Sequence, residues 1–159
     1  MKASDLRRTI GLSSSFFLLM LATAYPASPS VAAGTESYAT GETPIFGTLN
    51  SGSVSATFAA DGTYEKIAES KDATGHYRLA WQWTFDVAAG ASYALHAVAQ
   101  ATNTKHGMDF YQFSVRRGDS DWVPLGQVTQ TTMTTYVWPF PDGDYSGPII
   151  LRAVDSNHA

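Results

Sequence analysis

The sequence predicts an all-β protein built as an antiparallel β-sandwich. One stretch alternates strictly between large apolar and polar residues, and several short stretches elsewhere follow the same period of two. Turn signals separate these stretches about every ten residues, which is typical of sandwiches and barrels. No convincing helical pattern is found after residue 33.

The alternation is clearest from Tyr77 to Val87, YRLAWQWTFDV. Every second residue is apolar, so an extended chain places these side chains on one face, whereas a helix would scatter them. Fully burying one such side chain contributes roughly 1.5–3 kcal/mol. We therefore expect Trp81, Trp83 and Phe85 to be buried and this strand to anchor the core.

Further strands are predicted on both sides of this anchor. Residues 64–69 fit either a strand or a short helix, because Tyr64, Ile67 and Ala68 also suit helical spacing. The other segments alternate or are rich in Val and Thr, as strands are. They are residues 45–49, 53–58, 93–101, 109–115, 122–128, 132–138 and 149–154.

The first 33 residues have the organisation of a secretory signal peptide. Lys2 and Arg7-Arg8 form a positive start, residues 10–24 are mostly apolar, and Val31-Ala32-Ala33 is a small-residue cleavage site before Gly34. The arginine pair also admits a twin-arginine signal, although the residues after it match that signal poorly. We expect residues 1–33 to be removed and to lie apart from the sandwich.

Removal of the signal peptide leaves 126 residues, which we divide into a flexible lead-in (34–43) and a β-sandwich domain (44–159). This part has 7 Lys and Arg against 13 Asp and Glu, a net charge of −6, and no cysteine. Such acidity argues against nucleic acid and anionic membranes as partners. No apolar run after residue 33 reaches the roughly 18–20 residues of a membrane span. We expect a secreted or periplasmic protein.

Four short segments carry a resemblance to a known family: Tyr64-Glu65-x-Ile67, Trp83-Thr84-Phe85-x-Val87, residues 109–114 (DFYQFS) and Arg152-Ala153-Val154-Asp155. Together they resemble the jelly-roll, galactose-binding-like β-sandwich modules of secreted bacterial proteins, which are often attached to exported hydrolases. The resemblance covers roughly residues 47–155 and consists mostly of core spacing. It implies a jelly-roll fold and a carbohydrate-binding-like function.

The chain departs from that family in two respects. Such modules usually have a further strand after the Arg-x-Val-Asp segment, but here the sequence stops at Ala159, and no catalytic domain accompanies it. We therefore expect a truncated or fragmentary module with one sheet edge left unpaired.

Aromatic residues near predicted strand ends and loops are the first candidate binding group. A flat ring in such a place can stack on a sugar face. The alternative is that these rings fill the ends of the core. The candidates are Trp122, Trp138, Phe140 and Tyr145.

Acidic residues form the second candidate group. Glu65 shares the parity of Ile67, Asp109 begins one predicted strand, and Asp155 ends another. Carboxylates that converge from strand ends can bind Ca²⁺, which takes six to eight oxygen ligands. The alternative is that Glu65 pairs with Arg152 or Arg78 and that the two aspartates cap turns.

The sequence has no motif typical of an enzyme: no nucleophile elbow, zinc-binding His pair or phosphate-binding glycine loop. We therefore predict a non-catalytic secreted module that binds an extracellular polysaccharide or cell-surface glycan. One alternative is a structural or cell-surface interaction domain without a small ligand. A small hydrolase with a carboxylate pair is a further alternative.

Overall fold

The computed structural model describes residues 15–25, 35–57, 63–101 and 110–155. Within these ranges β-strands predominate, and every strand pairing is antiparallel. The helical structure in them is one 3₁₀ turn, Val54–Thr57. They contain no helix that is long and apolar enough to cross a membrane. The predicted all-β class is confirmed.

The strands in chain order are β1 (Ser15–Tyr25), β2 (Thr35–Ser37), β3 (Ala39–Phe46), β4 (Thr48–Ser51), β5 (Glu65–Ala68), β6 (Ser70–Lys71), β7 (Tyr77–Arg78), β8 (Ala80–Val87), β9 (Ser92–Ala101), β10 (Tyr111–Arg117), β11 (Val123–Val128), β12 (Thr134–Pro139) and β13 (Gly147–Asp155). Sheet I has the order β12-β9-β1-β5-β4, with β2 paired to β1, and sheet II has the order β11-β10-β13-β8-β3. A separate small hairpin joins β6 to β7.

The core lies between the two sheets. Sheet I contributes buried residues such as Ile67 and Leu95, and sheet II contributes Trp83, Phe113 and Leu151 to the same cluster. Phe113 also stacks on Trp138 of sheet I, with ring centroids 5.3 Å apart. A sandwich of two antiparallel sheets is therefore the arrangement that buries the alternating apolar faces.

The predicted anchor strand is confirmed as a central part of sheet II. Trp81, Trp83, Phe85 and Val87 are all buried on the inner face of β8. The anchor is shorter than predicted, because Tyr77 belongs to the β6–β7 hairpin and is 41% exposed. The alternation of apolar and polar residues therefore begins at Tyr77, before strand β8 of sheet II begins at Ala80.

The structure corrects one predicted strand and decides the ambiguous segment. Residues 53–58 are predicted as a strand, but residues 54–57 form the 3₁₀ turn. The Thr57 hydroxyl donates to the Val54 carbonyl at 2.6 Å, and the Ala56 N–H donates to the Ser53 carbonyl at 2.8 Å. Such local bonds compete with strand pairing. The ambiguous segment at 64–69 contains strand β5.

The lead-in predicted at residues 34–43 is largely ordered in the structure. Strand β3 begins at Ala39 and pairs with β8, and Ala39 itself is buried in the core. The small, polar composition of this segment suggested a flexible chain, but pairing with the anchor strand supplies backbone hydrogen bonds that composition does not reveal.

The structure also differs from the expectation that residues 1–33 lie apart from the sandwich. Residues 15–25 form β1, which lies in the middle of sheet I. Phe16 to Tyr25 are in register with Ala101 to Ser92 of β9, and Ser15 to Leu18 with Ala68 to Glu65 of β5. The apolar stretch expected to direct export is thus placed as a strand of the fold.

Cleavage of the signal peptide stays a prediction, and it has a direct test. The small residues Val31-Ala32-Ala33 before Gly34 predict that exported protein begins at or near Gly34. Amino-terminal sequencing of material secreted from an expressing bacterial host measures this. An intact Met1 in the secreted material would contradict the signal-peptide assignment.

Candidate functional site

Three of the four predicted binding aromatics are packed into the sandwich. Trp138 stacks between Phe113 and Tyr136 and lies so close to Gly126 of β11 that any side chain there would overlap the indole. Phe140 and Tyr145 are buried and in contact with each other, with ring centroids 4.9 Å apart. Burial leaves Phe140 and Tyr145 little free surface on which a ligand could stack, and Trp138 is partly buried against the core cluster.

Phe140 and Tyr145 belong to a small aromatic cluster completed by Tyr93. The Tyr93 ring lies 6.4 Å from Phe140 and 5.9 Å from Tyr145. The Tyr93 hydroxyl accepts from the Gly90 N–H at 2.9 Å and donates to the Asp144 carboxylate at 3.3 Å. The cluster therefore connects the loop after β12 to the start of β9.

Trp122 is the predicted aromatic that lies on the outer surface of sheet II. It is half-buried, just before β11, and its ring contacts two guanidinium groups. The central guanidinium carbon of Arg152 is 4.1 Å from the ring centroid, and that of Arg116 is 4.7 Å away. We call Arg116, Trp122 and Arg152 the arginine–tryptophan cluster.

The alternation of strands β10 and β13 explains why both arginines point away from the core. Phe113 and Val115 of β10 are buried inside, so Arg116 has the parity of the outer face. Leu151 and Ala153 of β13 are likewise buried, which gives Arg152 the same outward parity. Because β10 and β13 are adjacent in sheet II, the two guanidinium groups come together.

Two polar side chains flank Arg152 across the sheet. Ser114 of β10 is directly opposite it on one side, and Gln82 of β8 is opposite on the other. Gln112 lies two residues before Ser114 on β10 and is held in place, because its amide nitrogen donates to the Phe113 carbonyl at 2.7 Å and to the Gly126 carbonyl at 3.0 Å. The outer face thus carries amide groups beside the positive charges, whereas the Ser114 side chain is buried.

The positive charge of the arginine–tryptophan cluster is not balanced by the part of the chain that the structure describes. The Nε atoms of Arg116 and Arg152 are buried without a hydrogen-bond partner there. The ion pairs found are Arg78 with Asp72 and Arg117 with Asp144. Burial lowers the pKa of the Arg152 guanidinium, and the nearby charge of Arg116 lowers it further. Arginine nevertheless stays protonated in proteins.

A surface cavity of about 330 Å³ adjoins the cluster, and Arg152 lines it. This volume is at the lower end of the range of ligand pockets, about 300–1,000 Å³. Gln112 and Ser114 form one side, and Phe46 and Ile45 of β3 supply exposed apolar surface. Charged, polar and apolar groups therefore line one continuous region of the outer face.

The three predicted metal ligands do not form a site among the described residues. Asp109 lies outside those residues. Asp155 is buried at the end of β13 and lines the cavity, whereas Glu65 faces the core between the sheets. No group of three or more His, Cys, Asp and Glu side chains in the described ranges could hold a metal ion.

Glu65 does not fit a Ca²⁺ site. It is fully buried, and its Oε2 accepts a hydrogen bond from the Trp83 indole N–H at 2.8 Å. Burial, and secondly the neighbouring Glu42 carboxyl, raise the pKa of Glu65 from 4.5 to about 9. The Glu65 carboxyl is therefore neutral at pH 7, whereas a Ca²⁺ ligand has to be a charged carboxylate. A Ca²⁺ site that uses Asp109 or Asp155 stays a prediction.

The expected ion pairs of Glu65 with Arg78 or Arg152 are not formed. The Nε of Arg78 lies 2.8 Å from the Asp72 carboxylate, and Arg152 contacts Trp122 on the opposite side of sheet II. Sequence analysis missed Arg116 and Arg152 as a pair. Their signal is parity, since both alternate with buried apolar residues, but their proximity depends on which strands are neighbours.

Comparisons with protein-family models, with curated proteins and with solved structures found no match to this chain.

Proposed function

We propose that this protein is a non-catalytic, exported module that binds an acidic glycan, one that carries carboxylate or sulfate groups. The binding surface is the outer face of sheet II. The observation that carries this proposal is the pair of arginines, Arg116 and Arg152, held against Trp122 with buried Nε atoms that find no partner among the described residues.

Residues 34–159 carry a net charge of −6, but the arginine–tryptophan cluster is locally positive, and its chemistry suits a negatively charged group. Guanidinium groups bind carboxylate and sulfate-like anions through paired, charge-assisted hydrogen bonds. Two like charges held close together also repel each other, and a bound anion removes that repulsion. The partly desolvated position of Arg152 strengthens the attraction to an incoming anion.

The surroundings of the cluster favour a sugar polymer over a small free anion. Gln82 lies beside Arg152 on the neighbouring strand, is partly exposed and offers an amide group to sugar hydroxyls. Trp122 is half-buried, so part of its ring is exposed beside the arginines and can contact a sugar.

Binding without catalysis is part of the proposal. Glu65, the carboxyl with the strongly raised pKa, is fully buried between the sheets and cannot reach a substrate. The outer face instead combines cations, amides and a flat ring, which are groups that bind rather than transfer protons at neutral pH.

The test is binding of the full-length chain to soluble polysaccharides. We expect retention by polygalacturonate or a sulfated galactan and little retention by neutral galactan. The double variant R116Q/R152Q should lose about tenfold or more in affinity, because hydrogen bonds to charged groups contribute about 1.5–3 kcal/mol each. Raised salt should weaken binding of the wild type.

Arg117→Gln is the matched control. Arg117 is the neighbour of Arg116 on β10, but it is exposed and bonds to the Asp144 carbonyl at 3.0 Å on the other side of the strand. The Arg117→Gln variant should bind acidic glycans with the same affinity as the wild type. Equal loss in both variants, or unchanged binding in R116Q/R152Q, would place the ligand elsewhere and refute the proposed site.

A further inference from the structure

We infer that the space between β5 and β9 in sheet I is an acceptor site for a β-strand. In the full-length chain residues 15–25 fill it, and their removal opens it to an extended, apolar donor strand of another polypeptide. This inference rests on the predicted cleavage after Ala33, and it is independent of the proposed glycan site.

The first step concerns the backbone. β1 is hydrogen-bonded to β9 along ten residue pairs, from Phe16 with Ala101 to Tyr25 with Ser92. It also pairs with β5 along four residues, and β2 pairs with β1. Without β1, one edge of β9 and one edge of β5 carry unpaired N–H and C=O groups. Such edges are templates for another strand.

The second step concerns the cohesion of sheet I. Without its middle strand, this sheet consists of two separate pairs, β12 with β9 and β4 with β5. An isolated pair of strands is marginally stable in water. The opened site therefore lies between two strand pairs, and a new strand that hydrogen-bonds to both pairs stabilises the sheet.

The third step concerns the side chains that border the site. The inner face of β9 presents three consecutive alternate alanines, Ala97, Ala99 and Ala101, all buried. Opposite them, sheet II contributes large side chains such as Trp83 and Phe113. A wall of small residues beside the vacated position leaves room for bulky apolar side chains. The matching donor is a segment of about ten residues with large apolar residues at alternate positions.

The sequence of β1 has this character. From Phe16 to Leu21 every residue is large and apolar, so either face of the strand carries large apolar side chains at alternate positions. The same composition makes the segment suitable for the apolar region of a signal peptide. One segment therefore serves two incompatible purposes, because a signal peptide that has been removed cannot complete the sheet.

The experiment uses the full-length chain with an engineered protease site after Ala33. The folded protein is cut and then incubated with a fluorescent peptide of residues 15–25 flanked by lysines. We expect about tenfold more peptide uptake by the cut protein than by the uncut protein, because the linked strand competes at high effective concentration. A peptide with proline at two central positions should not be taken up, because proline cannot complete the ladder.

A disulfide test checks the register without any cleavage. The chain has no cysteine, so Met20→Cys with Ala97→Cys introduces one pair at directly opposite positions. Directly opposed residues in antiparallel strands are about 4.5–5.5 Å apart, which suits a disulfide. Met20→Cys with Ala94→Cys is the mismatched control, because Ala94 is opposite Thr23.

The outcomes separate clearly. Cross-linking of 20 with 97 but not of 20 with 94, together with peptide uptake after cutting, supports the acceptor site. If cut protein aggregates and the peptide prevents this, the site is likewise supported. The inference is overturned if cross-linking does not favour 20 with 97, if the peptide neither binds nor prevents aggregation, or if the cut protein loses residues 1–33 and keeps its melting temperature without binding peptide.

Discussion

Trp83→Ala should lower the free energy of unfolding by about 3–5 kcal/mol, the usual cost of removing a fully buried large aromatic. Trp83 is completely buried in the centre of β8 and stacks on Phe113, with ring centroids 6.2 Å apart. The substitution leaves a cavity between the sheets. It also removes the indole N–H that donates to Glu65, so that a buried carboxyl loses its hydrogen bond.

Urea unfolding followed by tryptophan fluorescence and circular dichroism measures this effect. Trp83→Phe fills most of the volume but lacks the N–H, so it should cost less and isolates the hydrogen bond to Glu65. Thr84→Ala is the matched control, because Thr84 is the exposed neighbour on the same strand. A Trp83→Ala protein that unfolds at the wild-type urea concentration would show that β8 does not anchor the core.

Replacing Glu65 by Gln should stabilise the protein at neutral and higher pH. Burial is the main cause, and the nearby Glu42 carboxyl is the second, of the rise in the pKa of Glu65 to about 9 in the folded state. In the unfolded chain, without these influences, the pKa is 4.5. Between these two values the folded protein holds a proton that the unfolded chain has released. Stability therefore falls as the pH rises from about 4.5 towards 9.

Glutamine removes this dependence because it cannot ionise. Its carbonyl oxygen can still accept from the Trp83 indole, and its NH₂ group can donate to the Glu42 carboxyl, which is a side-chain hydrogen-bond partner of Glu65. We expect equal stability of variant and wild type near pH 4 and a gain on the order of a few kcal/mol at pH 8.

Thermal unfolding at several pH values measures this difference. Asp86→Asn is the control, because it makes the same change from carboxyl to amide at an exposed position of β8. If the melting temperatures of Glu65→Gln and wild type run parallel from pH 4 to pH 8, Glu65 is not held neutral by the core.

The two proposed surfaces lie on different sheets. The arginine–tryptophan cluster depends on β10, β11 and β13 of sheet II, whereas the acceptor site lies in sheet I. Substitution of Arg116 and Arg152 should therefore leave uptake of the strand peptide unchanged. This separation allows glycan binding and strand acceptance to be tested independently in one protein.

The sequence by itself determined the strand character of the core. In β8 and β9, and in β10 and β13 except at their ends, every second residue is apolar, and this period of two is a local property that translates directly into one buried and one outer face. The burial of Trp83 and of Phe85 follows from it without knowledge of any neighbouring strand.

Local pattern was less informative where hydrogen bonding to distant residues decides the outcome. The composition of residues 34–43 is that of a flexible segment. Yet β3 pairs with β8, and the partners Ala39 and Phe85 are more than 40 positions apart in the chain. Residues 53–58 alternate like a strand, but serine and threonine bonds close a 3₁₀ turn there. In both places the competing hydrogen bonds, not the side-chain period, set the backbone.

Only the tertiary structure decided the candidate site. Trp122 and Trp138 have similar positions near predicted strand ends, but Trp138 packs against Gly126 and the core cluster, whereas Trp122 lies on two arginines outside. Arg116 and Arg152 are 36 positions apart and become neighbours because β10 pairs with β13. Strand order and register are non-local, and they alone bring these charges together, just as they place residues 15–25 between β5 and β9.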